Sequence, residues 1–385
     1  MNYTYFMHLA INAYFWNRPN TGSGQYTRQL VYHLNRLVKD LEITLIYPQL
    51  SAQPLPQDVP PDVNVKTLPL SAGHMGKVYF EQITFPRACR SVGADIAHVP
   101  YWGAPLQSPV PLVVTVHDVT PLIVREYRRG FFARLYNALV SASAKAADRI
   151  ITDSQASKKD IVSYLAVPEQ IIDVIYLAAG PAHKPEQELI VDMAILKKYE
   201  LPDFYVLYLG GFEIHKNVTT LLMAYTFVAQ ALGQEYPLVL AGKKPKKASN
   251  RFPDYDGLIS KLDLEEYIVW AGYIDEEDKP AVYRAASSFA FVSRHEGFGL
   301  PPLEAMSCGV PVVASNCSSI PEVIGDAGFT LDPDDERQIA GSIIATIVQE
   351  ELAAELKEKG LAQAANFSWE KTATETLLVY DRIIS

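Results

Sequence analysis

The segment 288–315, SFAFVSRHEGFGLPPLEAMSCGVPVVAS, carries much of the information from which the fold and chemistry of this chain can be inferred. Its first six residues form a short apolar run, and a second apolar run closes the segment, as in buried strands of a parallel sheet. Between them, Pro301 and Pro302 suit the first turn of a helix, and Gly309 suits its end. The spacing therefore predicts a strand, a glycine-rich turn, a short helix and a further strand.

The turn and the predicted helix combine groups that suit a phosphorylated sugar. Gly297 and Gly299 expose backbone N–H groups at the helix N-terminus, where the helix dipole favours an anion such as a diphosphate. Glu296 and Glu304 flank this position, and as carboxylates they would accept hydrogen bonds from sugar hydroxyls rather than bind phosphate. The alternative is that Glu304 caps its own helix and Glu296 is solvated.

The rest of the chain repeats this alternation of short apolar runs with helical stretches. In the first half, the runs HLAINAY, ITLIYP, DIAHVP, PLVVTVHD and RIITDS alternate with stretches such as GQYTRQLVYHLNRLV and FEQITFPRACRSV. The second half follows the same scheme from FYVLYLGG to PVVASN. The pattern predicts an α/β protein of two doubly wound, Rossmann-like domains, as a length of 385 residues also suggests. Glycine, proline and charged residues near 178–203 place the boundary, which gives domains 1–180 and 181–369.

Composition and charge exclude several classes of protein. Hydrophobic residues make up 49% of the chain and charged residues 20%, as in a compact globular protein. Basic and acidic side chains number 16 and 13 in residues 1–180 but 18 and 31 in residues 181–385. The acidic second half argues against nucleic acid as the main partner. No apolar run reaches 18 residues and the N-terminus lacks a signal-peptide pattern, so we expect a cytoplasmic protein.

The sequence offers no pattern of metal ligands. Cys89, Cys308 and Cys317 match no zinc spacing. The acidic residues of 332–335 lie in a late turn that we expect only to end a strand. We therefore expect neither a metal ion nor another cofactor.

A further phosphate site is predicted directly after the first strand of the second domain, because ligands of doubly wound sheets lie at the carboxyl ends of the strands. There, a turn formed by Gly210 and Gly211 is followed by Lys216 at the start of a helix. The lysine can neutralise charge that develops on a departing phosphate. A surface lysine without a ligand is the alternative.

Strand ends of the first domain supply two more candidates for ligand binding. Gly22 and Gly24 link the first strand to the first helix and permit close approach of a ligand, although they also suit a purely structural turn. His117 follows the strand PLVVTV and is predicted to project into a cleft, where its imidazole would bond a sugar hydroxyl. A core histidine is the alternative.

Aromatic residues after another strand of the first domain are candidates for the acceptor site. His98, Tyr101 and Trp102 occur at the end of the run DIAHVP and just beyond it. Aromatic faces suit sugar or lipid acceptors, but such residues are as often part of the core.

The segment Arg125–Tyr136 alternates arginines with aromatic residues. Arginines can meet lipid phosphates while aromatic rings enter the interface, so this segment is a candidate for peripheral contact with the inner face of a membrane. The alternative is a solvated helix whose apolar side faces the core. The residues concerned are Arg125, Tyr127, Arg128, Arg129, Phe131, Phe132, Arg134 and Tyr136.

The motif HEGFGLPPLEAMSCGVPVVAS and the following SSIPEVIGDAG resemble those of the family 4 glycosyltransferases, whose signature is two glutamates separated by seven residues. The resemblance extends over most of the chain, as far as FSWEK at 367–371. It implies the GT-B fold, in which two Rossmann-like domains face a central cleft. It also implies that a terminal helix, at about 370–385, crosses back onto the first domain.

The resemblance implies roles for the residues of the second glutamate motif. Glu296 would contact the transferred sugar, and Glu304 would contact the ribose of the nucleotide. The backbone groups that would hold the sugar and the diphosphate belong to Gly297, Phe298, Gly299 and Leu300.

The same resemblance assigns roles to the other motifs. Lys216 would stabilise the leaving diphosphate, with Gly211 standing where the family usually has an arginine. Gly22 and Gly24 match the glycine loop that borders the donor diphosphate and the acceptor. His117 would lie near the transferred sugar.

The predicted function is metal-independent transfer of a hexose from a nucleotide diphosphate sugar to a glycan, lipid-linked or small acceptor, with retention of configuration. Retention is what the resemblance implies, and it requires either a carboxylate nucleophile or departure and attack on the same face. No nucleophile is evident at the strand ends of the first domain, so we predict the same-face mechanism that is usually proposed for the family. The segments LPPLEAM and SSIPEV resemble the corresponding sequences of mannosyltransferases in the family, which favours mannose as the sugar and a GDP-sugar as the donor. The alternatives are a catalytically silent nucleotide-sugar-binding protein and a GT-B epimerase or phosphorylase.

Overall fold

The structure, a computed structural model, describes residues 7–50, 55–128, 131–186 and 189–384. It divides into two compact units, of which the first ends at Leu177 and resumes at Ser368, and the second is Ala178–Phe367. Each unit contains one parallel sheet whose central strands are buried along their whole length, as happens when helices cover both faces. The prediction of two doubly wound α/β sheets is therefore confirmed.

The sheet of the first unit has seven strands within the described residues. They are β1 (Met7–Asn12), β2 (Leu41–Gln49), β3 (Asn64–Pro69), β4 (Ile96–Val99), β5 (Leu112–Thr115), β6 (Arg149–Thr152) and β7 (Ile172–Val174). Their order is β3-β2-β1-β4-β5-β6-β7. The chain adds β2 and β3 on one side of β1 and then returns to add β4 on the other side. The winding therefore reverses between β1 and β4, and ligands of such sheets bind at the carboxyl ends of the two strands that flank the reversal.

The sheet of the second unit follows the same rule. Its strands are β8 (Val206–Leu209), β9 (Leu238–Ala241), β10 (Ile268–Gly272), β11 (Ser288–Phe291), β12 (Val312–Ser315) and β13 (Phe329–Leu331). Their order is β10-β9-β8-β11-β12-β13, with parallel pairing of β8 to β9 and to β11. The winding here reverses between β8 and β11, which are the strands that precede the two predicted phosphate motifs.

Helices connect the strands in both units. Those before the unit boundary are α1 (Gly22–Leu37), α2 (His74–Tyr79), α3 (Phe85–Val92), α4 (Thr120–Ile123), α5 (Phe131–Lys145) and α6 (Gln155–Leu165). Those of the second unit are α7 (Leu189–Lys198), α8 (Val218–Leu232), α9 (Tyr255–Lys261), α10 (Lys279–Arg284), α11 (Leu300–Ser307), α12 (Ile320–Ile324), α13 (Glu336–Val348) and α14 (Glu350–Ala364). Short 3-10 turns lie at Arg125–Arg128, Glu169–Ile171, Ile214–Lys216 and Glu265–Tyr267.

The helix after the boundary, α15 (Trp369–Ile384), belongs to the first unit and packs against α1. Its Thr372 hydroxyl donates to the Tyr176 carbonyl at 2.7 Å, and Arg382 pairs with Asp173 at 2.7 Å. These contacts fasten both ends of the helix to the segment around β7. The first unit is thus built from two separate parts of the chain.

The helical stretch predicted over residues 80–92 is not regular. Residues Phe80–Thr84 form a π-helix between α2 and α3, and Pro86 lies in the first turn of α3. Proline has no N–H to donate and its ring clashes with the preceding turn, so a regular α-helix cannot run through it. The wider turn of the π-helix accommodates Pro86 between α2 and α3. Such segments occur often at functional sites.

Candidate active site

The switch point of the second sheet brings Lys216 and Glu296 together. Lys216 closes the 3-10 turn that follows β8, and Glu296 lies in the loop that follows β11. The Lys216 Nζ donates to both Glu296 oxygens, at 2.7 and 2.9 Å. The two side chains are 18% and 13% exposed, so solvent reaches the pair only in part. Sequence reasoning identified both residues but did not foresee that they form one ion pair.

The backbone of the Glu296 loop is held by neighbouring hydroxyl groups. Ser318 and Ser319 donate to the Glu296 carbonyl at 2.7 and 3.1 Å. Gly299 caps α11 with a φ of 117°, and a Cβ there would meet Ile320 Cδ1 at 2.9 Å. Only glycine fits this left-handed position without strain. Packing against Ile320 therefore fixes the shape of the turn that precedes the N-terminus of α11.

The remaining residues of this turn differ in what they can offer a ligand. The Phe298 side chain is 4% exposed and packs edge-on against Phe367, with ring centroids 5.9 Å apart. Any ligand contact of Phe298 is therefore through its backbone. Leu300 begins α11, and the predicted prolines occupy the first turn of that helix.

Glu304 lies on α11, as the spacing predicted, but its carboxylate does not cap the helix. It is 5% exposed and accepts a hydrogen bond from the Tyr283 hydroxyl at 2.8 Å. His183 Nε2 lies 3.9 Å from the other carboxylate oxygen. Tyr283 and His183 were missed from the sequence, since neither belongs to a motif and both are distant from Glu304 in the chain.

Gly211 lies in the turn after β8, with its carbonyl accepting a hydrogen bond from the Tyr208 hydroxyl. Its φ is outside the left-handed region, so the backbone does not require glycine. A Cβ at this position would meet the Glu213 carboxylate at 2.2 Å. Because that carboxylate ends a flexible side chain, a larger residue can fit if Glu213 moves.

In the first unit, His117 forms a pair with Asp153. Its Nδ1 lies 2.7 Å from Asp153 Oδ2, and the two side chains are 20% and 3% exposed. Burial alone would lower the pKa of His117, but the Asp153 carboxylate, together with Asp118 and a hydrogen bond to the Pro100 backbone, outweighs this effect and raises the pKa above its ordinary value. His117 Nε2 is buried. Asp153 was not identified from the sequence, although it ends the run RIITD directly after β6.

The two glycines of the first loop have different surroundings. Thr21 caps α1 by accepting a hydrogen bond from the Gly24 N–H at 3.2 Å. A Cβ on Gly24 would lie 2.1 Å from the Arg18 carbonyl oxygen, whereas a Cβ on Gly22 would meet nothing within 4 Å. Packing against the preceding turn thus accounts for Gly24, which agrees with the structural alternative. Gly22 is exposed at the start of the helix.

The prediction that His98 lies in an acceptor site does not agree with its position. Its side chain is fully buried, with Nδ1 2.6 Å from the Tyr380 hydroxyl and Nε2 2.8 Å from the Thr115 hydroxyl. Burial, with His117 nearby, lowers the pKa of His98 to about 3, so the imidazole is neutral. Both ring nitrogens are already engaged, and His98 has the core role that was left open as the alternative.

Tyr101 and Trp102 lie closer to the carboxyl end of β4. Tyr101 is 4% exposed and packs edge-on against Phe15, with centroids 4.9 Å apart. The Trp102 indole N–H donates to the Val140 carbonyl at 3.0 Å, and its side chain is half-buried. The acceptor role of these two rings stays a prediction.

The candidate membrane segment is described only in part. Arg129 lies outside the described residues, and so do the side chains of Arg128, Phe131 and Phe132. Arg125 and Arg134 are exposed, and Tyr136 accepts a hydrogen bond from Lys77 at 2.9 Å. Among residues 7–50, 55–128, 131–186 and 189–384, no helix has the length and apolar character needed to cross a bilayer.

The acidic turn after β13 has local roles. Asp335 caps α13 by accepting from the Gln338 N–H at 2.9 Å, and Asp332 accepts from the Asp334 N–H at 2.9 Å.

Among the described side chains, no three His, Cys, Asp or Glu residues group together in a way that suits a metal ion.

Two family models match the chain. Residues 20–179 match the model described as Glycosyltransferase Family 4, and residues 194–363 match that described as Glycosyl transferases group 1. Among solved structures, sucrose-phosphate synthase from Thermosynechococcus elongatus is similar with a TM-score of 0.76 and 21% identity, over 98% of each chain. This likeness supports the GT-B fold that the sequence predicted.

Two curated relatives come from Escherichia coli. The chain is 36% identical to O-antigen chain mannosyltransferase B over 269 residues, which cover 70% of this chain and 69% of that protein. It is 33% identical to the serotype-specific mannosyltransferase WbdA over 284 residues, which cover 71% of this chain and 33% of that protein. The match thus spans about a third of the length of WbdA. The chain therefore belongs to the family 4 glycosyltransferases, and it is a hexose-transferring enzyme with the GT-B fold.

Proposed function

We propose that this enzyme transfers mannose from GDP-mannose to a glycan or lipid-linked acceptor, with retention of configuration and without a metal ion. The observation that carries the proposal is the Lys216–Glu296 pair at the switch point of the second sheet, beside the N-terminus of α11. One cation, one carboxylate and a helix N-terminus meet here, which is the combination that a sugar joined to a diphosphate requires. Mannose is favoured because the two Escherichia coli relatives described above are named mannosyltransferases.

Each part of the donor would contact a different group of this site. The diphosphate takes the ammonium of Lys216 and the N–H groups of the 297–300 turn, which neutralise charge as the leaving group departs. Glu296, released from the lysine, accepts hydrogen bonds from the sugar hydroxyls. Glu304 accepts from the ribose, and the Tyr283 hydroxyl keeps its carboxylate in a fixed orientation.

The chemistry follows from the groups that this site provides. Lys216 and backbone amides supply positive charge where a divalent ion would otherwise be needed, so we propose that turnover does not require a metal. For retention we propose departure and attack on the same face, with a phosphate oxygen taking the proton of the acceptor hydroxyl. His117, oriented by Asp153, would bond a hydroxyl of the transferred sugar.

We also propose that the segment Arg125–Tyr136 touches an anionic membrane surface. The exposed side chains of Arg125, Arg134 and Leu135 support this, because cations and an exposed apolar residue occur together. Flotation with vesicles that contain 30% anionic lipid, compared with vesicles of neutral lipid alone, tests it. Equal recovery with both would contradict the proposal.

The experiment for the main proposal uses the purified enzyme with GDP-mannose, GDP-glucose, UDP-glucose and UDP-galactose, each with and without mannoside acceptors. We expect GDP-mannose to be consumed fastest, and NMR of the product to show the α-anomer. Activity should persist in excess EDTA. Release of free sugar phosphate, or epimerised donor, would indicate a phosphorylase or an epimerase, and binding without turnover would indicate a silent protein.

A further inference from the structure

A basic loop follows β9 in the second unit, and the chemistry proposed above does not use it. Residues 243–251 carry five of the 18 basic side chains of residues 181–385, a part of the chain that also has 31 acidic ones. The five basic residues are Lys243, Lys244, Lys246, Lys247 and Arg251. Positive charge that is concentrated within a region of negative net charge favours an anionic partner at that place.

Both ends of this basic loop are attached to the turn that carries Lys216. Before its first lysine, Gly242 has a φ of 142°, and a Cβ there would lie 2.1 Å from the Gly210 carbonyl oxygen, so only glycine permits this approach. At its end, the Arg251 carbonyl accepts a hydrogen bond from the Ile214 N–H at 2.8 Å. Ile214 begins the 3-10 turn that Lys216 closes. The backbone of the loop therefore lies directly beside the proposed diphosphate site.

One lysine of the basic loop has partners in the protein, and the other three extend into solvent. The Lys244 ammonium pairs with Asp256 at 2.6 Å and lies 4.4 Å from the centroid of the Trp270 ring on β10, which fixes the start of the loop against the sheet. The remaining lysines are exposed, and they form no ion pair or hydrogen bond with any residue that the structure describes. They are Lys243, Lys246 and Lys247.

Without these three lysines, an approaching anion would meet mainly negative charge at the turn. Glu296 already neutralises Lys216, with 2.7 Å between the two charged groups. A second carboxylate, that of Glu213, lies so close to Gly211 that a Cβ there would meet it at 2.2 Å. The turn itself therefore has little net positive charge at a distance, and the basic loop supplies it.

We propose that the basic loop is the surface on which a nucleoside diphosphate first meets the protein, before its phosphates reach Lys216. Exposed lysines act on an approaching anion through long-range attraction, which raises the association rate and weakens as salt increases. The attraction depends on the charge of the phosphates and not on the base. This inference rests on the proposed function, because it takes the donor to be a nucleotide diphosphate sugar.

The test measures the association and dissociation rate constants of GDP and UDP by stopped-flow tryptophan fluorescence, in about 20 mM and about 500 mM NaCl. The triple variant Lys243→Gln, Lys246→Gln and Lys247→Gln should lower the association rate constant about threefold to tenfold at low salt and less than twofold at high salt. Its dissociation rate constant should stay within about twofold of wild type, because the lysines act before the complex forms.

A matched control removes three positive charges from other exposed positions of the second unit. Lys197→Gln on α7, combined with Lys357→Gln and Lys359→Gln on α14, changes the net charge by the same amount. This variant should alter the association rate constant less than twofold at either salt concentration. Circular dichroism of both triple variants should match wild type, since all six side chains are exposed.

The possible results separate the loop from other causes. An equal fall in both triple variants would assign the effect to total charge, and faster dissociation with unchanged association would mean that the lysines hold the bound nucleotide. Either result, or rate constants equal to wild type in the loop variant, would overturn the inference. If neither nucleotide binds to the wild type, the proposed function and the inference fail together. Because GDP and UDP are not turned over, a failure of GDP-mannose as donor counts against the proposed function alone.

Discussion

Glu296→Gln should strengthen the binding of GDP and slow the transfer of sugar. In the structure, Lys216 donates to both oxygens of Glu296, at 2.7 and 2.9 Å. A bound diphosphate needs the same ammonium, so the carboxylate competes with the ligand. Glutamine keeps the size and one acceptor of the side chain but removes its charge, and therefore weakens the competition.

The size of the effect follows from the charges involved. If the Glu296 carboxylate lies about 6 Å from a phosphate charge once the lysine has turned to the diphosphate, their repulsion is roughly 0.7 kcal/mol in water and about 2.8 kcal/mol at an effective dielectric constant near 20. Both side chains are partly buried, at 18% and 13% exposure, so an intermediate value applies. We expect a gain of about 1–2 kcal/mol, or about five- to thirtyfold in Kd.

Turnover should change in the opposite direction. An ionised carboxylate that accepts from a sugar hydroxyl contributes about 1.5–3 kcal/mol, so kcat should fall by about tenfold to a hundredfold or more. Calorimetry with GDP and steady-state kinetics with GDP-mannose measure the two effects on the same preparation. Glu355→Gln, which breaks an exposed pair with Lys359 at 2.7 Å, serves as the control for charge removal and should leave both quantities unchanged.

A GDP affinity that is unchanged or weaker in Glu296→Gln would refute this reasoning, because the carboxylate would then not compete for the lysine. The double variant with Lys216→Met provides a second check. The part of the gain that arises from the released ammonium should disappear when the ammonium is absent, whereas the part that arises from lost repulsion of the diphosphate should remain. A gain that persists in full would assign the effect to the carboxylate alone.

Three further predictions concern other residues of the two units. Lys216→Ala should lower kcat by about a hundredfold, or about 3 kcal/mol, because the charge on the leaving group grows during the reaction; wild-type kinetics would show that other groups carry it. Gly211→Arg should fold, as judged by circular dichroism, and bind GDP up to about tenfold more tightly, since the three atoms nearest to a Cβ at this position belong to the movable carboxylate of Glu213; an unfolded protein would contradict this. Asp153→Asn should lower the pKa of His117 relative to wild type, because burial is then opposed only by Asp118 and the Pro100 backbone; NMR titration that finds the same pKa as wild type would contradict it.

Local sequence patterns predicted the fold well because the central strands are buried along their length. The run SFAFVS became β11, the prolines at its far side opened α11, and the glycine turn between them appeared at Gly299 with the left-handed φ of 117° that glycine allows. The alternation of apolar runs and helices was enough to predict both sheets. The irregularity at Phe80–Thr84 was missed, because a proline in an amphipathic stretch does not reveal how the helix will accommodate it.

The site residues were predictable one at a time, but their partners were not. Lys216 and Glu296 each stood in a motif, yet 80 residues separate them, and only the order of the strands brings them together. Tyr283 and Asp153 orient predicted residues and have no motif of their own. The burial of His98 was missed for a related reason, since its partner Tyr380 comes from the end of the chain.

The Lys216–Glu296 pair engages the lysine before a donor is present. Glu296 lies in the loop that leads into α11, and the N-terminus of a helix favours an anion. The lysine holds its glutamate at 2.7 Å and must release it for a phosphate. The diphosphate of the donor is therefore expected to separate the pair, and the released carboxylate can then accept hydrogen bonds from the sugar hydroxyls.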